Sequence, residues 1–326
     1  MRHYGFNLTA MTGKMAAPQP LDNAELDFVA EHGFNYIRLP LNYHNWIRDF
    51  EYEKPDERML EVLDGHVAQC LERGLHVGLN LHRAPGYCIN KPELERDSLW
   101  TDLAAQDGFV LNWEMFARRY KHIPSEKMSF NLVNEPCLVG KKDFTRENHA
   151  AIMRRAIAAI RAISPEREIV LDGVDGGHSA IPELADTGAV HSVRGYQPFH
   201  VTHHGASWCG LENSPAPSYP LEANGEVWDR ARLLRFYEPW RDVERAGVKV
   251  MMGEFGCYNK TPNDVAMRWF EDLLGIYREF KWGYVLWNLR GAFGVIAHGR
   301  PGTTYTRMNG FDVDAQLLAL LKENRV

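Results

Sequence analysis

What is scarce in this sequence narrows it first. Its 326 residues hold only five cysteines: Cys70, Cys88, Cys137, Cys209 and Cys257. An odd number at wide spacing is neither a disulfide framework nor a zinc pattern. That usage suits a reducing compartment. The first residues, MRHYGFNLTAMTGK, contain no apolar core and no small-residue cleavage site, so no secretory signal is read there. The expected location is therefore cytoplasmic. No apolar run is long enough to span a bilayer, so no membrane association is expected. Lys/Arg-rich runs are absent as well. The net charge of −6 and pI near 6.2 give no general attraction to nucleic acid. Neither GxGxxG after a strand nor GxxxxGK[ST] occurs, which argues against a phosphate-cradling open sheet. The sequon Asn7-Leu8-Thr9 falls in a predicted strand and is discounted.

What is present is an ordinary globular mixture, 45% hydrophobic and 25% charged. Short apolar runs alternate with helical patterns. Strands are predicted at Tyr4–Leu8, Phe34–Pro40, Leu75–Leu81, Met128–Val133, Glu168–Leu171, Val190–Tyr196, Val248–Met252 and Tyr284–Trp287. Between them lie helices over Leu21–His32, Asp56–Arg73, Thr101–Tyr120, Asp143–Ile163, Ala180–Asp186, Trp228–Ala246 and Pro262–Phe280, with Asp314–Lys322 closing the chain. Eight strand–helix units in strict alternation imply a parallel sheet closed into one (β/α)8 TIM barrel. No linker divides it, so residues 1–326 are expected to form a single domain. The longest irregular stretch, Gln197 to Glu226, is long enough to be functional.

Polar and aromatic residues fall where predicted strands end. Arg38 follows the second strand, His82 and Arg83 the third, Asn134 and Glu135 the fourth. Tyr196 follows the sixth, Glu254 the seventh, and Trp287 with Asn288 the eighth. In a barrel these ends converge on the C-terminal face, where active sites lie. Two carboxylates facing each other there suit glycosidic bond cleavage, which needs one proton donor and one anion. The donor needs a raised pKa, and a cation such as Arg38 keeps the other ionised. Taken singly, each glutamate is as well explained as a solvated loop residue.

These residues sit in motifs. FNLVNEP (Phe130–Pro136), with IRLP upstream, GEFG downstream and YVLWN near the end, resembles glycoside hydrolase family 5, the cellulase-type retaining glycosidases. The resemblance covers nearly the whole chain, and Asn-Glu-Pro is its most specific element. It implies Glu135 as general acid/base and Glu254 as nucleophile. It also implies that Asn134 binds the sugar 2-hydroxyl, that Arg38 supports the nucleophile and that Tyr196 touches it. His82 maps to a family histidine, and Trp287 to the floor of the −1 subsite. The resemblance implies no cofactor and no metal, with an oligosaccharide as the binding partner.

One departure stands out. The family pattern His-x-Tyr after the sixth strand is here Arg194-Gly195-Tyr196. Pointing inward, a permanent cation lowers the pKa of Glu135; otherwise Arg194 points away. The run HVTHH (His200, His203, His204) invites a metal, but sugar or loop hydrogen bonds by His203 or His204 fit better. Trp208, Trp100 and Trp46 are candidate subsite walls, packing under loops being an equal alternative. Trp113, Trp240, Trp269 and Trp282 read as core, and Cys137 and Cys257 as packing near the site. The absence of a binding module and the cytoplasmic reading favour short oligosaccharides, and an exo-β-mannosidase above a β-glucosidase or an endo-β-1,4-glucanase. A catalytically inactive carbohydrate-binding barrel is the alternative from another class.

Overall fold

A computed structural model describes residues 3–137, 143–223 and 225–326. Eight strands form the closed barrel: β1 (Tyr4–Asn7), β2 (Tyr36–Asn42), β3 (His76–Arg83), β4 (Met128–Asn131), β5 (Glu168–Asp172), β6 (Val190–Gly195), β7 (Val250–Phe255) and β8 (Tyr284–Leu286). Every neighbouring pair is parallel, and β1 closes against β8. The principal helices are α1 (Asn23–Glu31), α2 (Glu57–Glu72), α3 (Leu103–Arg119), α4 (Arg146–Ile163), α5 (Arg230–Arg245), α6 (Asn263–Phe280) and α7 (Ala315–Glu323).

The helices form where the sequence supplies caps and an apolar face. Asp22, Asp56, Thr145, Asp229 and Asp314 each accept a backbone N–H at a helix start. Helix α4 buries Ile152, Ala156, Ile157 and Ile160 against the barrel, the stripe legible in its periodicity. Gly74, at φ +70°, ends α2 in the left-handed region, where a side chain would be strained.

Three differences from the sequence expectations bear on the site. Arg38 lies inside strand β2, which runs on to Asn42, and not after it. Strand β7 extends to Phe255 and carries Glu254 within it. The stretch from Gln197 to Glu226 is not structureless. It holds a helical turn at Phe199–Thr202, a second at Ser207–Cys209, and the strand Leu221–Ala223, which pairs with Glu226–Trp228. Asn224 lies outside the described residues. Among the described residues, no helix is long and apolar enough to cross a membrane.

Side chains alternate across the strands, so every second residue enters the barrel. Tyr36, Val170, Val190, Met251 and Val285 form an apolar layer inside its lower half. Two steps further along the same strands come Arg38, Asp172, Ser192, Gly253 and Trp287. Glycines make room: a Cβ on Gly78 would fall 1.8 Å from the Tyr36 hydroxyl, and one on Gly253 would fall 2.0 Å from Ser192 Oγ. The layer below and the polar layer above are thus fixed by one alternation.

Candidate active site

The polar layer opens into a cavity of about 1320 Å³ at the C-terminal ends of the strands. Glu135, Glu254, His82, Tyr196, His203, Trp208 and Trp287 all line it. Arg38 and Asn134 lie just beneath, both buried. The residues singled out from the sequence are therefore brought together.

Arg38 is the hub of the floor. Its Nη1 donates to Glu254 Oε2 at 2.7 Å and to Asn7 Oδ1 at 2.8 Å. Its Nε donates to Asn131 Oδ1 at 3.1 Å, and its Nη2 to Asn134 Oδ1 at 2.8 Å. The other oxygen of Glu254 accepts the Tyr196 hydroxyl at 2.8 Å. Burial, then the Glu254 charge, push the Tyr196 hydroxyl far above its ordinary pKa, so it remains a donor. One cation and one neutral donor thus hold Glu254 in a fixed orientation.

Glu135 has a different setting. Its residue is in the left-handed region, at φ +47°. Its backbone N–H donates to Asp172 Oδ2 at 3.0 Å, and its carbonyl accepts the Tyr87 hydroxyl. Burial raises its pKa to about 7, with a further upward push from Glu254 and an opposing pull from Arg194. It is the carboxyl set to hold a proton near neutral pH.

Arg194 points inward. Its Nε donates to Glu135 Oε1 at 3.0 Å, its Nη1 to Ser192 Oγ at 3.0 Å and its Nη2 to Asn134 Oδ1 at 3.0 Å. The same Nη2 bonds Asp172 and lies 3.9 Å from Glu254 Oε2. One guanidinium therefore reaches both glutamates. A register shift between Val193 and Arg194 sets Arg194 opposite Glu254 on the neighbouring strand. Arg194 does lower the Glu135 pKa, as an inward cation must, but burial and Glu254 outweigh it.

Asp172, Asn7 and Asn131 complete this network, and sequence reasoning does not single them out. Asp172 carries a usable signal, since it directly follows the predicted strand Glu168–Leu171. Burial works to raise the Asp172 pKa, but Arg194 and then Arg38 hold it below the ordinary carboxylate value. Glu95 is also unforeseen. It accepts from Arg83 at 2.8 Å, from the Tyr43 hydroxyl at 2.7 Å and from the Gly86 N–H at 3.1 Å, and so pins the loop after β3 that walls the cavity.

Above the floor, His82 stacks on Trp287 with ring centroids 5.4 Å apart and 13° between planes. Burial, then the Arg38 charge, lower the His82 pKa to about 3, so the ring is neutral. His82 Nδ1 and Asn134 Nδ2 are buried and have no partner among the described residues. Both Arg38 and Arg194 donate to Asn134 Oδ1. Trp208 is 57% exposed and packs edge-on against Tyr258, with centroids 4.9 Å apart.

Other expectations fare differently. Trp46 is fully buried, its indole donating to Asn112 Oδ1 at 2.7 Å, so it is core and not a subsite wall. Trp100 is buried yet lines the cavity. Trp113, Trp240, Trp269 and Trp282 are core. In HVTHH, only His203 borders the cavity; His204 bonds Ser214 at 2.9 Å and His200 is exposed. Cys137 lines the cavity and Cys257 is buried beside it. One grouping of metal-ligand types occurs among the described residues, His3, His76 and Glu168, at the opposite end of the barrel. There His3 pairs with Glu168 at 3.0 Å, while His76 is held by the Glu126 carbonyl and Ser129.

The model of the cellulase family, glycosyl hydrolase family 5, matches residues 2–292. The chain belongs to that family. It is an O-glycoside hydrolase, and its substrates are oligosaccharides. Endoglucanase C of Acetivibrio thermocellus is 27% identical over 292 residues, 82% of this chain and 83% of that protein. Cellodextrinase A of Ruminococcus flavefaciens is 25% identical over 74% of this chain and 70% of its own length. A crystal structure described as a glycoside hydrolase superposes with a TM-score of 0.97 at 53% identity, over 100% of both chains.

Proposed function

We propose that this family 5 hydrolase is a retaining β-glycosidase acting on short β-1,4-linked gluco-oligosaccharides, with Glu254 as nucleophile and Glu135 as acid/base. The observation that carries the reading is the contrast between the two carboxyls. Glu254 is clamped by Arg38 and Tyr196, whereas Glu135, with its pKa raised to about 7, is the one to hold a proton. In the first step a Glu254 oxygen bonds to the anomeric carbon and the bond to the leaving oxygen breaks. The Glu135 proton goes to that oxygen. In the second step Glu135, now a carboxylate, takes a proton from water as the water bonds to the anomeric carbon and Glu254 departs. Asn134 Nδ2 and His82 Nδ1 meet sugar hydroxyls, and Trp287 lies under the ring. His203 and Trp208 contact the substrate farther out along the cavity.

The choice of sugar rests on the activities named for the relatives, an endoglucanase and a cellodextrinase. They favour gluco-oligosaccharides over the terminal β-mannoside expected from the sequence. The cavity of about 1320 Å³ also exceeds what one small ligand needs, which is on the order of 300–1,000 Å³. None of the five cysteines forms a disulfide, which fits cytoplasmic action on soluble oligosaccharides within a single 1–326 domain.

The test is hydrolysis of aryl β-cellobioside, β-glucoside and β-mannoside and of cellotetraose, with Glu254→Ala as the blank. Cleavage of the cellobioside and cellotetraose is expected. Turnover confined to the mannoside would transfer the enzyme to the mannosidase reading. Binding without turnover of any substrate would leave the inactive carbohydrate-binding barrel.

A further inference from the structure

The cavity floor holds an unusual balance of charge. Two guanidiniums, Arg38 and Arg194, are buried among three carboxyls, Asp172, Glu135 and Glu254. Low-polarity surroundings disfavour an unmatched charge, so two cations support two carboxylates and the third carboxyl keeps its proton. Asp172 has the strongest claim to be charged. Besides Arg194 it accepts from Asn131 Nδ2 and from the Glu135 N–H, both at 3.0 Å. Glu254 takes Arg38 at 2.7 Å. Glu135 is left with a share of Arg194, through Nε alone.

We infer that Asp172 is a positioning residue for catalysis: by occupying Arg194, it denies Glu135 a counter-ion of its own and so keeps the acid/base protonated. The inference rests on the acid/base role proposed above for Glu135. Asp172 does not itself line the cavity, and it acts through Arg194 and through the Glu135 backbone. The arrangement also gives a physical reason for an arginine on the sixth strand. An unopposed cation there would ionise the acid, and the buried aspartate on the fifth strand prevents it.

The remaining titratable groups facing Glu135 do not disturb the balance near neutral pH. His82, from β3, is neutral there, its pKa lowered to about 3 by burial and by Arg38 and Arg194. The Tyr87 hydroxyl, beside Cys137, and the Tyr196 hydroxyl are pushed well above their ordinary value, chiefly by burial. Burial raises the Cys88 thiol as well. His178, above Arg194, is held neutral by burial, at about 4.

Removing either partner of the Arg194–Asp172 pair must shift Glu135 in opposite directions. Asp172→Asn frees Arg194 for Glu135, so the acid loses its proton at lower pH. Arg194→Gln removes a cation in direct contact with Glu135, so the acid keeps its proton to higher pH. The experiment is the pH profile of kcat/KM on phenyl β-cellobioside, a substrate that needs protonation of its leaving group. Thermal melting of each variant checks that it folds. The basic limb is expected to move down by about one pH unit in Asp172→Asn and up by about one in Arg194→Gln. Limbs that stay in place, or move in the same direction, in folded variants would overturn the inference. Should one variant not fold, the direction of the other decides. Glu135→Ala run in parallel separates the two levels. If it slows phenyl and dinitrophenyl cellobiosides equally, the acid role itself fails and takes the inference with it. If it slows only the phenyl substrate while the limbs stay put, the acid role stands and the Asp172 inference is wrong.

Discussion

The two halves of the barrel interior are built by one rule to opposite ends. In the lower half, alternating side chains of β2, β5, β6, β7 and β8 meet as Tyr36, Val170, Val190, Met251 and Val285, an apolar layer held by packing. Two residues further on, β2 and β5 present Arg38 and Asp172, while Arg194 comes four residues past Val190 on β6 and Glu254 stands beside them. The lower layer gains from exclusion of water. The upper layer works against that same exclusion, because buried charges are costly unless matched. The stable half thus supports a half in which two carboxyls have different settings: Glu135, pushed up to about 7 chiefly by burial, and Glu254, clamped by Arg38 and Tyr196.

This division is open to direct attack, and the most damaging change belongs in the upper half. Glu254→Ala should lower kcat by roughly 10⁴-fold or more. Calorimetric affinity for cellotriose should remain close to wild type, since the other sugar-facing groups stay in place. Glu135→Ala should cost about 10²–10⁴-fold on phenyl β-cellobioside and far less on the dinitrophenyl glycoside, in steady-state rates.

A change in the lower half should behave differently. Met251→Ala, which hollows the apolar layer, should destabilise the fold by about 2–5 kcal/mol in denaturant melts. It should leave the pH limbs of kcat/KM in place. A moved limb there would erase the distinction between the halves. Glu135→Gln sharpens the comparison through stability. Because the folded-state pKa of Glu135 is raised from 4.5 to about 7, the native wild type binds the proton more tightly than the unfolded chain. Its contribution is fully present below about pH 4.5 and is lost as pH rises through 7. The glutamine variant has no such loss, so its advantage in thermal melts should grow across that window to about 3 kcal/mol. The smallest effect is expected farthest from the floor. Trp208→Ala removes an exposed ring at the cavity edge and should raise KM for cellotetraose about 3- to 10-fold, with kcat little changed.

Most of the frame is legible in the sequence because its signals are local. Strand–helix alternation, the apolar stripe of α4, Gly74 after α2 and the Asn134-Glu135-Pro136 motif are each readable within a few residues. Positions at or near strand ends then gather His82, Glu135, Tyr196, Glu254 and Trp287 at one mouth, with Arg38 beneath them. What escapes is whatever depends on register between strands. Asp172 shares the strand-end signal of the others, but its role shows only once Arg194 is placed beside it, and Arg194 is placed by a shift in the β6–β7 ladder that no composition or period records. Trp46 fails for the reverse reason. An aromatic near a strand end looks like a sugar platform, and only the partner Asn112 on α3 shows it to be core. The sugar itself is not written in any short segment, because it is set by hydroxyl contacts assembled from several loops.

The central claim is that Glu254 becomes covalently bound to the substrate while Glu135 handles the proton. Incubation with a 2-fluoro-cellobioside carrying a dinitrophenyl leaving group, followed by peptide mass spectrometry, tests it most directly. The account predicts inactivation with one added cellobiosyl mass on the peptide containing Glu254, slowly reversed on dilution. Inactivation with the label on another residue, or unlabelled enzyme releasing product of inverted configuration, would contradict it.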